Sequence, residues 1–151
     1  QSKKEFLDDI AVSLGGYVVE KNIFNDLTTG SSNDLQVATG LARDMVTKYG
    51  MSEKIGPVAF EGGAGASLWP KASDDKDYSE KVGAEIDAEV TDIMKTAFTR
   101  AEEVVTSHRK ALDAIAKKLV EVETIEREEF EQLLIANGIT PKKKLDIEHQ
   151  G

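Results

Sequence analysis

VGAEIDAEVTDIMKTAFTRAEEV, residues 82–104, is the stretch that decides the fold class. Within it Val82, Ile86, Val90, Ile93, Ala97, Ala101 and Val104 step by four, four, three, four, four and three. That stepping averages close to one α-helical turn. The intervening residues are mostly charged or polar, as on the wet face of an amphipathic helix. Ser79 can cap the helix start, and Glu80 complements the dipole of its first turn.

The pattern continues in both directions. Downstream, Thr106 or Ser107 can cap a helix over 109–122, with Leu112, Ile115, Ala116, Leu119 and Val122 inward. A last helix over 127–136 carries Phe130, Leu133 and Leu134. Gly138 ends it, and Pro141 prevents resumption. Upstream, Phe6, Ile10, Leu14 and Tyr17 form a stripe over about 3–21, widened by Leu7, Ala11 and Val18. Gly15 and Gly16 weaken that helix and permit a close packing or a bend. A polar segment, 25–33, reads as a turn with helix-start chemistry. A helix over about 34–49 then presents Ala38, Leu41, Ala42, Met45 and Tyr49, with Gly50 as its stop.

Residues 51–78 break the rhythm. They hold Pro57, Pro70 and the run Gly62-Gly63-Ala64-Gly65, and read as a long exposed loop with room for a short strand over 55–60. No internal repeat is visible. The expected fold is all-α, a helical bundle with one long Gly/Pro-containing loop. One helical domain over 1–136 and a polar tail over 137–151 are expected.

Composition narrows the function. The chain has 151 residues, 31% charged and 40% hydrophobic, with net charge −9 and no cysteine. Disulfides, cysteine zinc knuckles and thiol nucleophiles are excluded. A basic nucleic-acid-binding surface is not expected. The one dense basic cluster, Lys142-Lys143-Lys144, reads as a solvated tail beside Asp146 and Glu148. No apolar run is long enough to span a bilayer.

Catalytic constellations are scarce. The two histidines, His108 and His149, lack the spacing of an H-E-x-x-H zinc helix. No nucleophile elbow, P-loop or dinucleotide fingerprint is present. One carboxylate is out of place: Asp34 precedes Ala38 by four, Leu41 by seven and Met45 by eleven, and so lies on the core-facing stripe. A buried carboxylate is costly unless paired, hydrogen-bonded or bound to metal. Two readings stay open. Asp34 accepts backbone N–H bonds in a first helical turn, or it points at a cation supplied by another element.

Leu14-Gly15-Gly16, Glu20, Phe24 and the run Thr28-Thr29-Gly30-Ser31-Ser32-Asn33-Asp34-Leu35 resemble the peptidase signature of the FtsH-type ATP-dependent zinc metalloproteases. Ala38-Thr39, Leu41-Ala42-Arg43, Met45-Val46-Thr47 and the run from Tyr49 to Pro57 continue it. Tyr78-Ser79-Glu80, Glu85-Ile86-Asp87 and Glu123-Thr124-Ile125 extend the resemblance, which covers nearly everything from Ser2 to Leu134. Two departures stand out. Tyr17 replaces a usual Arg, and Ser67-Leu68-Trp69-Pro70-Lys71 replaces an apolar stretch.

The resemblance implies the C-terminal, helical part of a peptidase domain in a hexameric, membrane-anchored parent. There an ATPase module with ATP and magnesium threads protein substrates to a zinc endopeptidase, degrading membrane-associated and misfolded proteins. This domain would lie on the cytoplasmic side, and the chain itself would be soluble. By resemblance Asp34 is the third zinc ligand, and Glu20 lies beside the ligands, orienting a histidine. The H-E-x-x-H helix would come from an upstream segment. This chain would then hold no catalytic residue and no stable zinc, and would be inactive alone. The rival expectation is a noncatalytic helical scaffold or interaction module from the same family.

Overall fold

A computed structural model describes residues 1–60 and 78–141. Among them are five α-helices and no strand: α1 (Lys3–Val19), α2 (Thr29–Thr47), α3 (Glu80–Ser107), α4 (Arg109–Val122) and α5 (Arg127–Ala136). The all-α expectation holds. Two compact units are present, Gln1–Val104 and a second beginning at Val105. Trp69, Gly62 to Gly65, Ser67 to Lys71, Lys142 to Lys144 and His149 lie outside the described residues.

α1 starts with a reciprocal cap. Ser2 Oγ accepts the Glu5 N–H at 3.2 Å, and the Glu5 carboxylate accepts the Ser2 N–H at 2.6 Å. Phe6, Ile10, Leu14 and Val18 are its buried residues, the stripe that the stepping predicts. The glycine pair does not break the helix. It runs on to Val19 and widens into a π-helical turn, Glu20–Phe24, closed by Asn25 at φ 50°. Asn tolerates that left-handed conformation better than most side chains.

α2 begins earlier than the sequence suggests. Thr28, not a residue near Asp34, is its N-cap, with its side chain accepting the Gly30 N–H. The polar run from Thr29 to Asn33 is therefore helical, overriding its modest propensity. Ala38, Ala42, Met45 and Val46 are buried. α1 and α2 run antiparallel, with the ring of Phe6 5.4 Å from that of Tyr49. Small Ala38 and Ala42 let the two helices approach closely, while Ile10, Leu14 and Met45 fill the space between.

α3 completes the first unit with Ile86, Val90, Ala97 and Ala101 buried. Ser79 Oγ accepts the Val82 N–H at 3.3 Å, the expected cap contact. Beyond α2, Gly50 takes φ +57° and turns the chain. The expected strand over 55–60 is absent. Gly56 at φ +90° and Pro57, which has no N–H, interrupt an extended run. In its place Ser52 Oγ accepts the Ile55 N–H and donates to Glu89 Oε2 at 2.6 Å, and Lys54 pairs with Glu89 and Asp92. Phe60 N–H reaches the Thr47 carbonyl at 2.7 Å. Its ring meets Tyr78 edge-on at 5.6 Å, so the ends of segment 61–77 come together.

The second unit contains α4 and α5. His108, rather than Thr106 or Ser107, occupies the α4 N-cap position, and its side chain makes no cap bond. Only Ala111 of α4 is buried; Leu119 and Val122 are each 42% exposed, and Ala116 is exposed. Among the described residues of this unit, no third element covers the rest of the predicted stripe. The end of α5 follows the expected course. Gly138 at φ +82° donates to the Ile135 carbonyl and Ile139 to that of Leu134, the paired bonds of a Schellman motif.

Ile10 is 0% exposed and Val12 78% exposed on the same helix. Ile10→Ala is expected to cost about 2–5 kcal/mol. Val12→Ala should stay within about 0.5 kcal/mol, as for surface sites generally. Urea unfolding followed by circular dichroism checks both; an Ile10→Ala chain with the unaltered midpoint would remove Ile10 from the core.

Candidate functional site

The residues singled out by sequence meet where the end of α1 faces the start of α2. Gly16 lies on α1, and Glu20, four residues on, is the αR C-cap that opens the π-helical turn, so the two share a helix face. Gly30 and Asp34 stand four apart on α2. The antiparallel course sets each glycine against the other helix's carboxylate. A Cβ placed on Gly16 would lie 2.8 Å from Asp34 Oδ2. One placed on Gly30 would lie 3.9 Å from Glu20 Oε1 and 3.4 Å from Thr28 Oγ1. Gly15, by contrast, has nothing within 4 Å of such a position. The two adjacent glycines are thus unequal: Gly16 makes room for Asp34.

Asp34 lies in the second turn of α2, since the helix begins at Thr29. The reading that placed it in the first turn, accepting backbone N–H bonds, is therefore corrected. It is half-buried and faces α1, as its place on the wheel predicts. No hydrogen bond or ion pair engages its carboxylate among the described residues. Both oxygens keep lone pairs for a ligand.

Glu20 is held differently. Its carboxylate accepts the Thr28 N–H at 2.9 Å and the Thr28 hydroxyl at 2.9 and 3.1 Å. The Thr28 hydroxyl oxygen in turn accepts the Gly30 N–H at 3.3 Å. Ser31, buried, donates its hydroxyl to the Thr28 carbonyl at 2.9 Å. The Thr28 N–H first, and its hydroxyl next, hold the Glu20 carboxyl below the usual carboxylate range. The sequence singled out Glu20 but not this partner. A carboxylate at a helix end, eight residues before an N-cap threonine, was the available signal.

An anionic oxygen donor on a rigid helix suits one position of a zinc site. Catalytic zinc takes three protein ligands, and among the described residues no three His, Cys, Asp or Glu side chains converge. Among the described residues, Asp34 is a carboxylate whose setting suits one such position. His108, exposed at the start of α4, belongs to the second unit.

Residues 1–133 match the family described as Peptidase family M41. The chain is 40% identical over 145 residues to the ATP-dependent zinc metalloprotease FtsH of Bacillus subtilis, an alignment covering 95% of this chain and 23% of that protein. It is 42% identical over 133 residues to ATP-dependent zinc metalloprotease FtsH 1 of Sphaerobacter thermophilus, covering 87% and 20%. Against ATP-dependent zinc metalloprotease FtsH 3 of Synechocystis the identity is 42% over 140 residues, covering 91% and 23%. The chain spans between a fifth and a quarter of the length of these curated relatives.

Gly16→Ala separates stability from geometry. In a helix interior Ala is favoured over Gly by about 1 kcal/mol. The new methyl meets only the end of the Asp34 side chain, which can swing away. Unfolding stability is expected to hold or rise, while the Asp34 carboxyl ¹³C resonance shifts; Gly15→Ala should raise stability and leave that resonance in place. An unmoved resonance in Gly16→Ala would deny the close fit.

The Glu20 clamp carries a pH dependence. Its folded-state pKa lies below the unfolded one. The stabilisation is therefore complete above the ordinary carboxylate range and is lost as the pH falls through the lowered value. Amide exchange at Thr28, corrected for intrinsic rates, is expected to accelerate on that descent, and Glu20→Gln should remove the dependence.

Proposed function

The chain belongs to peptidase family M41, and on that premise we propose that it forms the helical part of a zinc endopeptidase domain and supplies Asp34 as the third zinc ligand. The two histidine ligands and the glutamate general base would come from an H-E-x-x-H helix outside these 151 residues. The observation that carries the reading is Asp34 itself. It is a half-buried carboxylate on a packed helix, admitted by a glycine of the facing helix and without a partner among the described residues. A carboxylate in such a place is a cost unless something cationic meets it.

Zinc, when bound, supplies the Lewis acidity that activates water and polarises a peptide carbonyl. The chain's own residues do the positioning. α1 and α2 bring the Asp34 side chain to the face that meets Gly16, which sets where its carboxylate can be offered. One donor is too few to retain catalytic zinc. The 151 residues alone are therefore proposed to be inactive, with residues 1–136 as the peptidase part and 137–151 as a polar tail.

The wider setting rests on the relatives' names, which pair a zinc metalloprotease with ATP dependence. We take the parent to be a membrane-anchored hexamer in which an ATPase module, with ATP and magnesium, feeds membrane-associated and misfolded proteins to this domain on the cytoplasmic side. Among the described residues no helix is long and apolar enough to cross a membrane. The anchor would thus lie elsewhere in the parent.

Zinc content after dialysis, measured by mass spectrometry, tests the proposal. It is compared between this chain and a version extended upstream through the zinc-binding helix. The expected result is one zinc per chain in the extended version only, lost on Asp34→Ala. If neither version retains zinc, Asp34 is a helix residue without a ligand, and the scaffold reading replaces the peptidase one.

A further inference from the structure

Thr28 joins two elements through one side chain. Its N–H and hydroxyl donate to Glu20, at the end of α1, while its hydroxyl oxygen accepts the Gly30 N–H in the first turn of α2. Its carbonyl takes the hydroxyl of buried Ser31. All the hydrogen-bonding groups of this residue shown here therefore bear on one matter: where α2 begins and how it is turned about its axis.

That rotation matters for Asp34. Successive residues of an α-helix are about 100° apart around the axis. If α2 slipped by a single residue, Asp34 would swing off the face that meets Gly16. The carboxylate's place over Gly16 needs Gly30, four residues earlier, to face Glu20. Contact between the glutamate and the helix start is a directional polar element that can fix this register, whereas the buried Ile10, Leu14, Val18, Ala38, Ala42 and Met45 of the two helices are apolar and less directional.

We infer that Thr28, gripped by Glu20, is a positioning residue for Asp34, setting the start and rotation of α2 and so the location of the ligand carboxylate. The inference rests on Asp34 being the zinc ligand proposed above. It gives Glu20 its effect on the metal site through Thr28. It also separates two roles that a threonine at a helix start combines. As a cap, Thr28 accepts one N–H, a task Asp performs at least as well. As a clamp it must donate to a carboxylate, which ionised Asp cannot do.

Three substitutions tell the roles apart. Thr28→Ser keeps both, Thr28→Asp keeps the cap and places a second negative charge against Glu20, and Thr28→Val removes both. In the metal-free 151-residue chain, amide exchange is measured over residues 29–34, with α3 amides from Ile86 to Ala97 as the control, alongside the Asp34 carboxyl ¹³C resonance. In the chain extended upstream through the zinc-binding helix, zinc affinity and the absorption bands of the cobalt(II) form are measured.

Thr28→Ser is expected to match the parent in every readout. Thr28→Asp and Thr28→Val are expected to shift the Asp34 resonance, alter the cobalt bands and weaken zinc binding by about 10- to 100-fold, the range seen when a ligand loses its support. The α3 amides should keep their protection. Wild-type zinc affinity in Thr28→Asp would reduce Thr28 to a cap and overturn the inference. Loss of α3 protection in Thr28→Asp would assign the residue to folding and overturn it also. Unchanged zinc affinity in Asp34→Ala would instead remove the ligand reading on which the inference stands.

Discussion

The closeness of α1 and α2 at Gly16 is the constraint from which the rest of this arrangement follows. A side chain there would occupy the space of the Asp34 carboxylate. Further along the pair, Ile10 and Leu14 meet a surface of Ala38, Ala42 and Met45 and exclude water. The interface is thus divided along its length, with an apolar stretch that holds the helices together and a polar end where oxygen atoms can be kept. Placing the carboxylates at the end of the pair avoids sealing an unpaired charge in the middle of a core. α3 packs its own stripe of Ile86, Val90, Ala97 and Ala101 on the platform so formed. The Ser52–Glu89 bond fixes the connection after α2 to it.

Two carboxylates face each other's helix at that end, and their surroundings make them different. Glu20 is saturated by Thr28 and works as part of the backbone's own bonding. Asp34 is left with its lone pairs unused among the described residues. The same functional group therefore serves as fastener in one place and as donor in the other. What distinguishes them is which N–H and O–H groups the local chain brings within reach. A left-handed Asn25 and a π-helical turn deliver Thr28 to Glu20; among the described residues nothing of the kind reaches Asp34. Irregular helical turns of this sort often accompany functional positions.

Much of this was legible before any coordinates. The regular stepping through Val82, Ile86 and Val90 identified α3, because period is a local property. Gly138 and Pro141 marked the end of α5 for the same reason. Asp34 stood out on the wheel as a carboxylate on an apolar face, and it does face α1. The start of α2 was missed because Thr29 to Asn33 has the composition of a turn, and the contacts that support a helix there, Thr28 with Glu20 and Gly30 and the burial of Ser31, are not local signals. The strand expected over 55–60 failed at Gly56 and Pro57. The outer residues of α4 looked inward on the wheel, but a wheel does not say how many layers exist to cover a stripe. The fit of Gly16 to Asp34 was hidden for a related reason. Both four-residue spacings are in the sequence, yet they meet only once two helices are known to run antiparallel.

The edge-on contact of Phe60 with Tyr78 bears on how this chain can vary. It brings together the two ends of segment 61–77 at the surface of the first unit, and Tyr78 is braced in turn by Gly83, whose missing side chain leaves room for the ring. Once such a clasp fixes both ends, the entropy of closing the intervening chain grows only with the logarithm of its length, by about 0.6 kcal/mol for each doubling. With both ends fixed at those two rings, a change in the length of the chain between them costs little in closure entropy. The run Ser67-Leu68-Trp69-Pro70-Lys71, read from the sequence as a departure from the family pattern, falls inside that interval. The clasp sits at the Thr47 end of α2, the opposite end of that helix from Asp34, so contacts can change there at a distance from the carboxylate.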